Sequence, residues 1–116
     1  MIKRIEKVWG HEEVLVAGPL YTLKRLVIKP GFQSSLHYHQ EKDETFYIEQ
    51  GIITLEVGST LPLERYTLLP GAKFHLRPYL PHRFSNLNED AASFLEVSTF
   101  DSPQDNFRLT ESKVIE

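Results

Sequence analysis

Cysteine is absent from the 116-residue chain, which removes disulfides, thiolate metal ligands and thiol nucleophiles from consideration. Long apolar runs are absent too, so no membrane-crossing helix is expected. Nor is there an excess of positive charge. Thirteen Lys and Arg stand against 16 Asp and Glu, giving a net charge of -3 and a pI near 5.9. No basic field exists to draw a nucleic-acid backbone, and nonspecific DNA or RNA binding is not expected. The opening MIKRIEKVWGHEE has no apolar core of a secretory signal, and without cysteine there is no prenylation box. A soluble cytoplasmic protein is therefore the expectation. Its chemistry must come from His, carboxylates, Lys, Arg, Tyr or a bound metal.

The remaining composition, 41% hydrophobic and 25% charged, is that of an ordinary globular protein. The length suits one domain covering residues 1–116. Seven prolines and six glycines separate short segments rich in Val, Ile, Leu, Thr, Phe and Tyr. That punctuation predicts an all-β sandwich or barrel. The expected strands are Tyr21–Ile28, Glu44–Glu49, Ile52–Val57, Arg65–Leu69, His82–Ser85 and Ala92–Thr99. Pro30-Gly31, Gln50-Gly51, Gly58-Ser59 and Pro70-Gly71 read as turns. One short helix is predicted over Ser102 to Phe107, followed by a polar tail.

The informative stretch is PGFQSSLHYHQEKDETFYIEQG. His37 and His39 are two residues apart, so on a strand both point to one face and converge on one ion. Glu44 follows a short QEKD turn and opens the alternating segment ETFYIE, sharing a face with Phe46 and Ile48. A carboxylate on an apolar face is costly unless a cation or donor compensates it. Two imidazoles and a carboxylate around a divalent metal meet that requirement. His82, in LRPYLPHRFSN, alternates onto one face with Phe84 and Asn86 and is a fourth candidate ligand.

These residues resemble the cupin superfamily. Its first motif, G-x5-H-x-H-x4-E-x6-G, is matched at every fixed position by Gly31, His37, His39, Glu44 and Gly51. Gly71, His82 and Asn86 keep the spacing of the second motif, with Arg77 and Tyr79 where the family usually has Pro and Gly. The resemblance implies a double-stranded β-helix, the cupin jelly-roll barrel. It also implies that His37, His39, Glu44 and His82 hold one divalent metal inside that barrel. The ligand types suit Zn, Mn, Fe, Ni or Co and do not choose among them. His11 and His75 lie outside the motifs. His11 reads as a solvent-exposed or core-satisfied histidine, whereas His75 lies near the second motif.

A narrower resemblance is to the C-terminal cupin domain of type II mannose-6-phosphate isomerases. Its correspondences are Trp9-Gly10, Lys24-Arg25, Pro30-Gly31, Ser35-Leu36, His39, Glu44, Pro78, His82-Arg83, Asn86, Glu96-Val97, Asp105 and Arg108. The chain departs from that family at Val8, where Pro is usual, at His37, where Gln is usual, and at Asn106, where a second Asp is usual. The resemblance implies aldose-ketose interconversion of a sugar or sugar phosphate. Lys24, His75 or a metal-bound hydroxide would be the general base, and Arg108 or Lys24 would stabilise the enediolate or grip a phosphate. Trp9 and Tyr79 are candidates for the wall of a sugar cavity. Two other activities share the ligand set: a cupin that binds a sugar or small acid without turnover, and a metal-dependent dioxygenase. The cupin resemblance further implies a homodimer, formed by pairing sheet edges or by exchanging the segment Ile2 to Val8.

Overall fold

The computed structural model describes residues 3–115, and every regular element among them is a strand. In chain order these are β1 (Lys3–Lys7), β2 (Gly10–Ala17), β3 (Tyr21–Ile28), β4 (Phe32–Gln33), β5 (His37–Tyr38), β6 (Glu44–Gln50) and β7 (Ile53–Val57). They continue with β8 (Glu64–Leu68), β9 (Lys73–Leu76), β10 (His82–Ser85), β11 (Ala92–Thr99), β12 (Phe107–Arg108) and β13 (Lys113–Val114). One sheet runs β1-β2-β3-β11-β6-β9. In the other, β10 is flanked on one edge by β4 and β5 and on the other by β7, which pairs β8, while β12 and β13 extend β5 and β4. The two sheets face each other as a jelly-roll barrel, the expected architecture. No helix among the described residues is long and apolar enough to cross a membrane.

Side-chain alternation decides which residues enter the barrel. In β3, Thr22, Lys24, Leu26 and Ile28 are buried while their neighbours are not. In β6 the buried set is Glu44, Phe46 and Ile48, and in β11 it is Ala92, Phe94, Glu96 and Ser98. Each of these strands is apolar at one end and polar at the other, and the antiparallel registers align like with like. Leu26 pairs with Phe94, Lys24 with Glu96, and Glu44 with Ser98. The barrel is thus divided along its axis. One half holds a hydrocarbon core in which Phe46 and Phe94 lie 4.4 Å apart and Phe84 meets both Phe94 and Trp9 edge-on. The other half is polar and carries the site.

Three of the expected strands match to the residue, and β6, β7 and β8 differ from expectation by one residue at one or both ends. The turn glycines Gly31, Gly51 and Gly71 have φ of 80°, 78° and 89°. At Gly51 a Cβ would also fall 2.8 Å from the Cβ of Ala92, so the turn requires glycine twice over. The helix expected over Ser102 to Phe107 is absent. Asp105 N–H donates to the Ser102 carbonyl at 3.0 Å in a single turn, and Phe107 and Arg108 then pair with β5. A strand partner for the tail outweighs its weak local preference for helix. The proposed exchange segment begins at Ile2, which lies outside the described residues, and its remainder includes β1, which pairs with β2 of its own chain.

Candidate metal centre and cavity

His37 leaves β5 toward the barrel interior, and Tyr38 between it and His39 points outward and stacks on Phe107 and Tyr79. His82 lies opposite His37 in the β5-β10 pairing. Ring nitrogens of His37, His39 and His82 all lie within 4.8 Å of one another. Glu44, at the start of β6, brings Oε2 to 3.1 Å from His39 Nε2 and Oε1 to 3.8 Å from His82 Nε2.

The remaining ring nitrogens explain this convergence. His37 Nδ1 lies 2.9 Å from the Ser35 carbonyl, His82 Nδ1 lies 2.9 Å from the Leu80 carbonyl, and His39 Nδ1 bonds the carbonyl of Asp105. A carbonyl only accepts, so each Nδ1 carries the proton and each Nε2 presents a lone pair. Backbone-oriented imidazoles of this kind are what metal ligation requires. His82 Nε2 and Glu44 Oε2 are buried without a hydrogen bond, a cost that a cation in their midst would offset. Three neutral imidazole nitrogens and one carboxylate therefore fit a divalent metal.

Electrostatics agree with this for His37 and His82, while His39 shares the Glu44 carboxylate that a metal would take over. Burial, reinforced by the neighbouring His82, pushes the His37 imidazole down to about 3. Burial likewise lowers His82. Burial works against protonation of His39 as well, but the Glu44 carboxylate outweighs it and raises that imidazole. For Glu44 itself burial is overcome by His39 and Lys42, which hold the carboxyl down at about 2.

Above these residues opens a cavity of about 550 Å³. Its charged wall is a chain of alternating signs. Lys24 Nζ lies 2.6 Å from Asp101 and 3.3 Å from Glu12. Lys42 Nζ lies 3.3 Å from Asp101, 3.0 Å from Glu96 and 3.6 Å from Glu44. Burial opposes the charge on both lysines, but the surrounding carboxylates win and raise both. Lys24 is thus a held cation rather than a free base. Glu96 is raised, by burial first and by repulsion from Glu44 second. Trp9 closes the cavity on the core side, and Arg108 lines it from β12 while pairing at 3.4 Å with the exposed Glu111.

The structure brings His37, His39, Glu44, Lys24 and Arg108 to one cavity and sets His82 against the three ligand candidates at its floor, but it leaves His75 outside. In β9 the inward residue is Leu76, opposite Glu44, so His75 opposite Thr45 must face outward. There it is exposed and bonded to Asp43. His11 sits on β2 beside Glu13 and away from the cavity. Tyr79 is 64% exposed and adopts φ 70° at a position where the motif favours glycine, so it forms no part of the cavity wall.

Sequence reasoning missed Lys42, Glu96, Asp101 and Glu12 as parts of the site. Glu96 was detectable, because it occupies the inward register of β11 just as Glu44 does on β6. Lys42 lies in a loop, where no periodicity marks direction.

The family model described as "Cupin domain" matches residues 24–98. No curated protein matches the chain. Among solved structures, the capsular polysaccharide assembling protein CapF from Staphylococcus aureus superposes with a TM-score of 0.86 at 15% identity, over 95% of this chain and 33% of its own. Oxalate decarboxylase from Bacillus subtilis gives 0.80 at 20% identity, over 93% and 30%. KdgF from Halomonas sp. gives 0.71 at 18% identity, over 81% of each chain. The chain spans about a third of the length of the first two, and the likeness to all three is one of fold.

Proposed function

Given that the chain belongs to the cupins, we propose that it is a metal-dependent cupin whose activity is aldose-ketose isomerisation of a sugar or sugar phosphate. The observation that carries this reading is the convergence of three Nε2 lone pairs beside Glu44 at the floor of a polar cavity. His37, His39, Glu44 and His82 would hold one divalent ion, with Zn, Mn, Fe, Ni and Co all compatible. Such an ion supplies Lewis acidity toward a carbonyl or a pair of vicinal oxygens. In support, the B. subtilis oxalate decarboxylase that shares the fold has Mn(II) centres.

The chain's own residues supply the rest. Isomerisation needs a base to take the C2 proton and return it at C1. Lys24 is protonated and His75 is outside the cavity, so among side chains this role is assigned to Glu12, whose carboxylate lines the cavity beside Lys24, with a hydroxide on the bound metal as the alternative base. Lys24 and Lys42 present N–H donors where negative charge develops on the sugar oxygens of the enediolate. Arg108, at the rim, offers a fork of donors to a phosphate.

A second reading, binding without turnover, is favoured by the pairing of each of these cations with a carboxylate, which leaves the wall electrostatically complete without substrate. The deciding experiment incubates metal-loaded protein with mannose 6-phosphate or fructose 6-phosphate in deuterated water. Deuterium at C1 of fructose 6-phosphate formed from mannose 6-phosphate, or at C2 of mannose 6-phosphate formed from fructose 6-phosphate, supports the isomerase. Binding with no exchange supports the second reading, and oxygen consumption would point to a dioxygenase instead. Metal analysis of His39→Ala and His82→Ala tests the ligand set, and unchanged occupancy in both would overturn it. The homodimer is also a proposal, with β1 an edge available for pairing, and light scattering reads it directly.

A further inference from the structure

Asp105 touches the ligand segment at four points, although it lies more than sixty residues further along the chain. Its Oδ1 accepts the Gln40 N–H at 2.6 Å, and its Oδ2 accepts the N–H groups of Glu41 at 3.1 Å and Lys42 at 2.9 Å. Its backbone carbonyl accepts the Nδ1 proton of His39. Asp105 is itself held from both sides, by the turn bond to Ser102 and by the pairing of Phe107 with Tyr38 two residues further on.

The residues it grips, 40 to 42, are the loop that sets the separation of His39 from Glu44. Those three amides have no other acceptor among the described residues, and a loop with unpaired amides has many conformations. We propose that Asp105 is a positioning residue for the candidate metal centre. Its carbonyl fixes which nitrogen of His39 is free, and its carboxylate fixes the loop that holds His39 and Glu44 at ligand spacing. The tail is then a working part of the site. The same segment that contributes Asp101, Ser102 and Arg108 to the cavity wall orients the ligand beneath it. The proposal rests on the metal reading above for its affinity consequence, and on the geometry of the chain alone for its structural one.

Two measurements test it. The first is titration with Co(II), followed by its visible spectrum, of the full chain and of Asp105→Ala, Asp105→Asn and Thr110→Val. Thr110 tethers the same tail to the Leu36 amide at 2.9 Å without touching residues 40–42, and in its variant the backbone bonds from Leu109 and Thr110 to the Leu36 carbonyl remain. Groups that orient ligands typically contribute 10- to 100-fold to metal affinity. Co(II) affinity should fall about 10- to 100-fold in Asp105→Ala, and also fall in Asp105→Asn, whose NH2 faces amide donors. Thr110→Val should stay within about twofold. The second measurement is imidazole ¹⁵N NMR of the metal-free protein. At a pH where its imidazole is neutral, His39 should be the Nδ1–H tautomer in the parent; Asp105→Ala keeps the backbone carbonyl but releases it from the loop, so that variant, or Asp105→Asn if the alanine variant does not fold, should show a mixture of tautomers. Unchanged affinity with an unchanged tautomer, or an equal loss in Thr110→Val, would overturn the proposal. Failure of the parent to bind Co(II), with the His39 tautomer still dependent on Asp105, would instead count against the metal reading and leave the positioning role standing.

Discussion

Glu96 on β11 stands directly opposite Lys24 on β3, and the ammonium of Lys42 reaches down from a loop to within 3.0 Å of its carboxylate. Glu96 and Lys42 are among the most buried charged groups of the described residues, at 5% and 6% exposure. Lys42 also compensates Glu44, so its removal strands two buried carboxylates at once. Breaking a buried pair from one side typically costs about 3–5 kcal/mol. Lys42→Met should therefore lower unfolding free energy by about that amount in urea, and the double variant Lys42→Met/Glu96→Gln should recover part of it. No loss in the single variant would mean that water already screens the pair.

Stability of the metal-free protein should fall on the acid side. The His37 imidazole titrates near 3 in the fold against an ordinary 6.5, so between those values the unfolded chain binds a proton that the folded chain does not. Stability then decreases as pH falls from about 6.5 toward 3, by about 1.4 kcal/mol per pH unit from His37 alone. Lowered His82 acts in the same direction below 6.5, and Glu44 adds to it below its ordinary 4.5. His39 is raised and partly offsets the loss, since its contribution is present at low pH and disappears as pH rises through its folded value. Denaturation curves from pH 7 to 4 should show the slope, and His37→Gln should flatten it.

Much of this was legible in the sequence because β-strands have a strict period of two. Lys24, Glu44 and His82 enter the barrel for the same reason that Leu26, Phe46 and Phe84 do, and alternation around an apolar neighbour reveals all of them. The same rule excludes His75 once Leu76 is recognised as the inward residue of β9. What the sequence hides lies in loops. The directions of Lys42, Asp101 and Asp105 are set by partners distant in sequence, and the tail's pairing with β5 replaces the helix its residues would favour locally.

Tyr79 offers a stability gain. Its φ of 70° places a bulky side chain in the left-handed region, a conformation that costs a non-glycine residue about 1–2 kcal/mol. Its ring is largely exposed and stacks only loosely on Tyr38, with centroids 6.3 Å apart. Tyr79→Gly should raise unfolding free energy by about 0.5–1 kcal/mol, part of the relieved strain being returned as unfolded-state entropy. A loss of stability in the same assay would show that the aromatic stack is worth more than the strain.

His75 and Lys24 should separate cleanly in ligand binding. His75→Ala removes a surface bond to Asp43 and should leave metal content and affinity for mannose 6-phosphate within about twofold of the parent. Lys24→Met removes a buried cation shared by Asp101 and Glu12 and should weaken that affinity at least about tenfold, since hydrogen bonds to charged groups contribute roughly 1.5–3 kcal/mol. Calorimetry on metal-loaded protein reads both. Equal losses would return His75 to the site and require a different course for β9.

Arg108 separates a phosphorylated substrate from an unphosphorylated one. It lies at the cavity rim on β12, half exposed, and its only acidic partner among the described residues is Glu111, 3.4 Å away and 81% exposed. Surface pairs of that kind contribute about 0–1 kcal/mol, so the guanidinium can exchange Glu111 for a phosphate at little cost. A bidentate phosphate contact is stronger and would add about 1.5–3 kcal/mol, or roughly 10- to 100-fold in affinity. Arg108→Ala should therefore weaken mannose 6-phosphate by that factor while leaving mannose nearly unaffected, with metal content unchanged in both cases. Raising the salt concentration should weaken the phosphate ester in the parent and have little effect in the variant. If both sugars lose affinity equally, Arg108 is holding the tail in place rather than gripping a phosphate. If neither does, the ligand of this cavity is uncharged at its outer end.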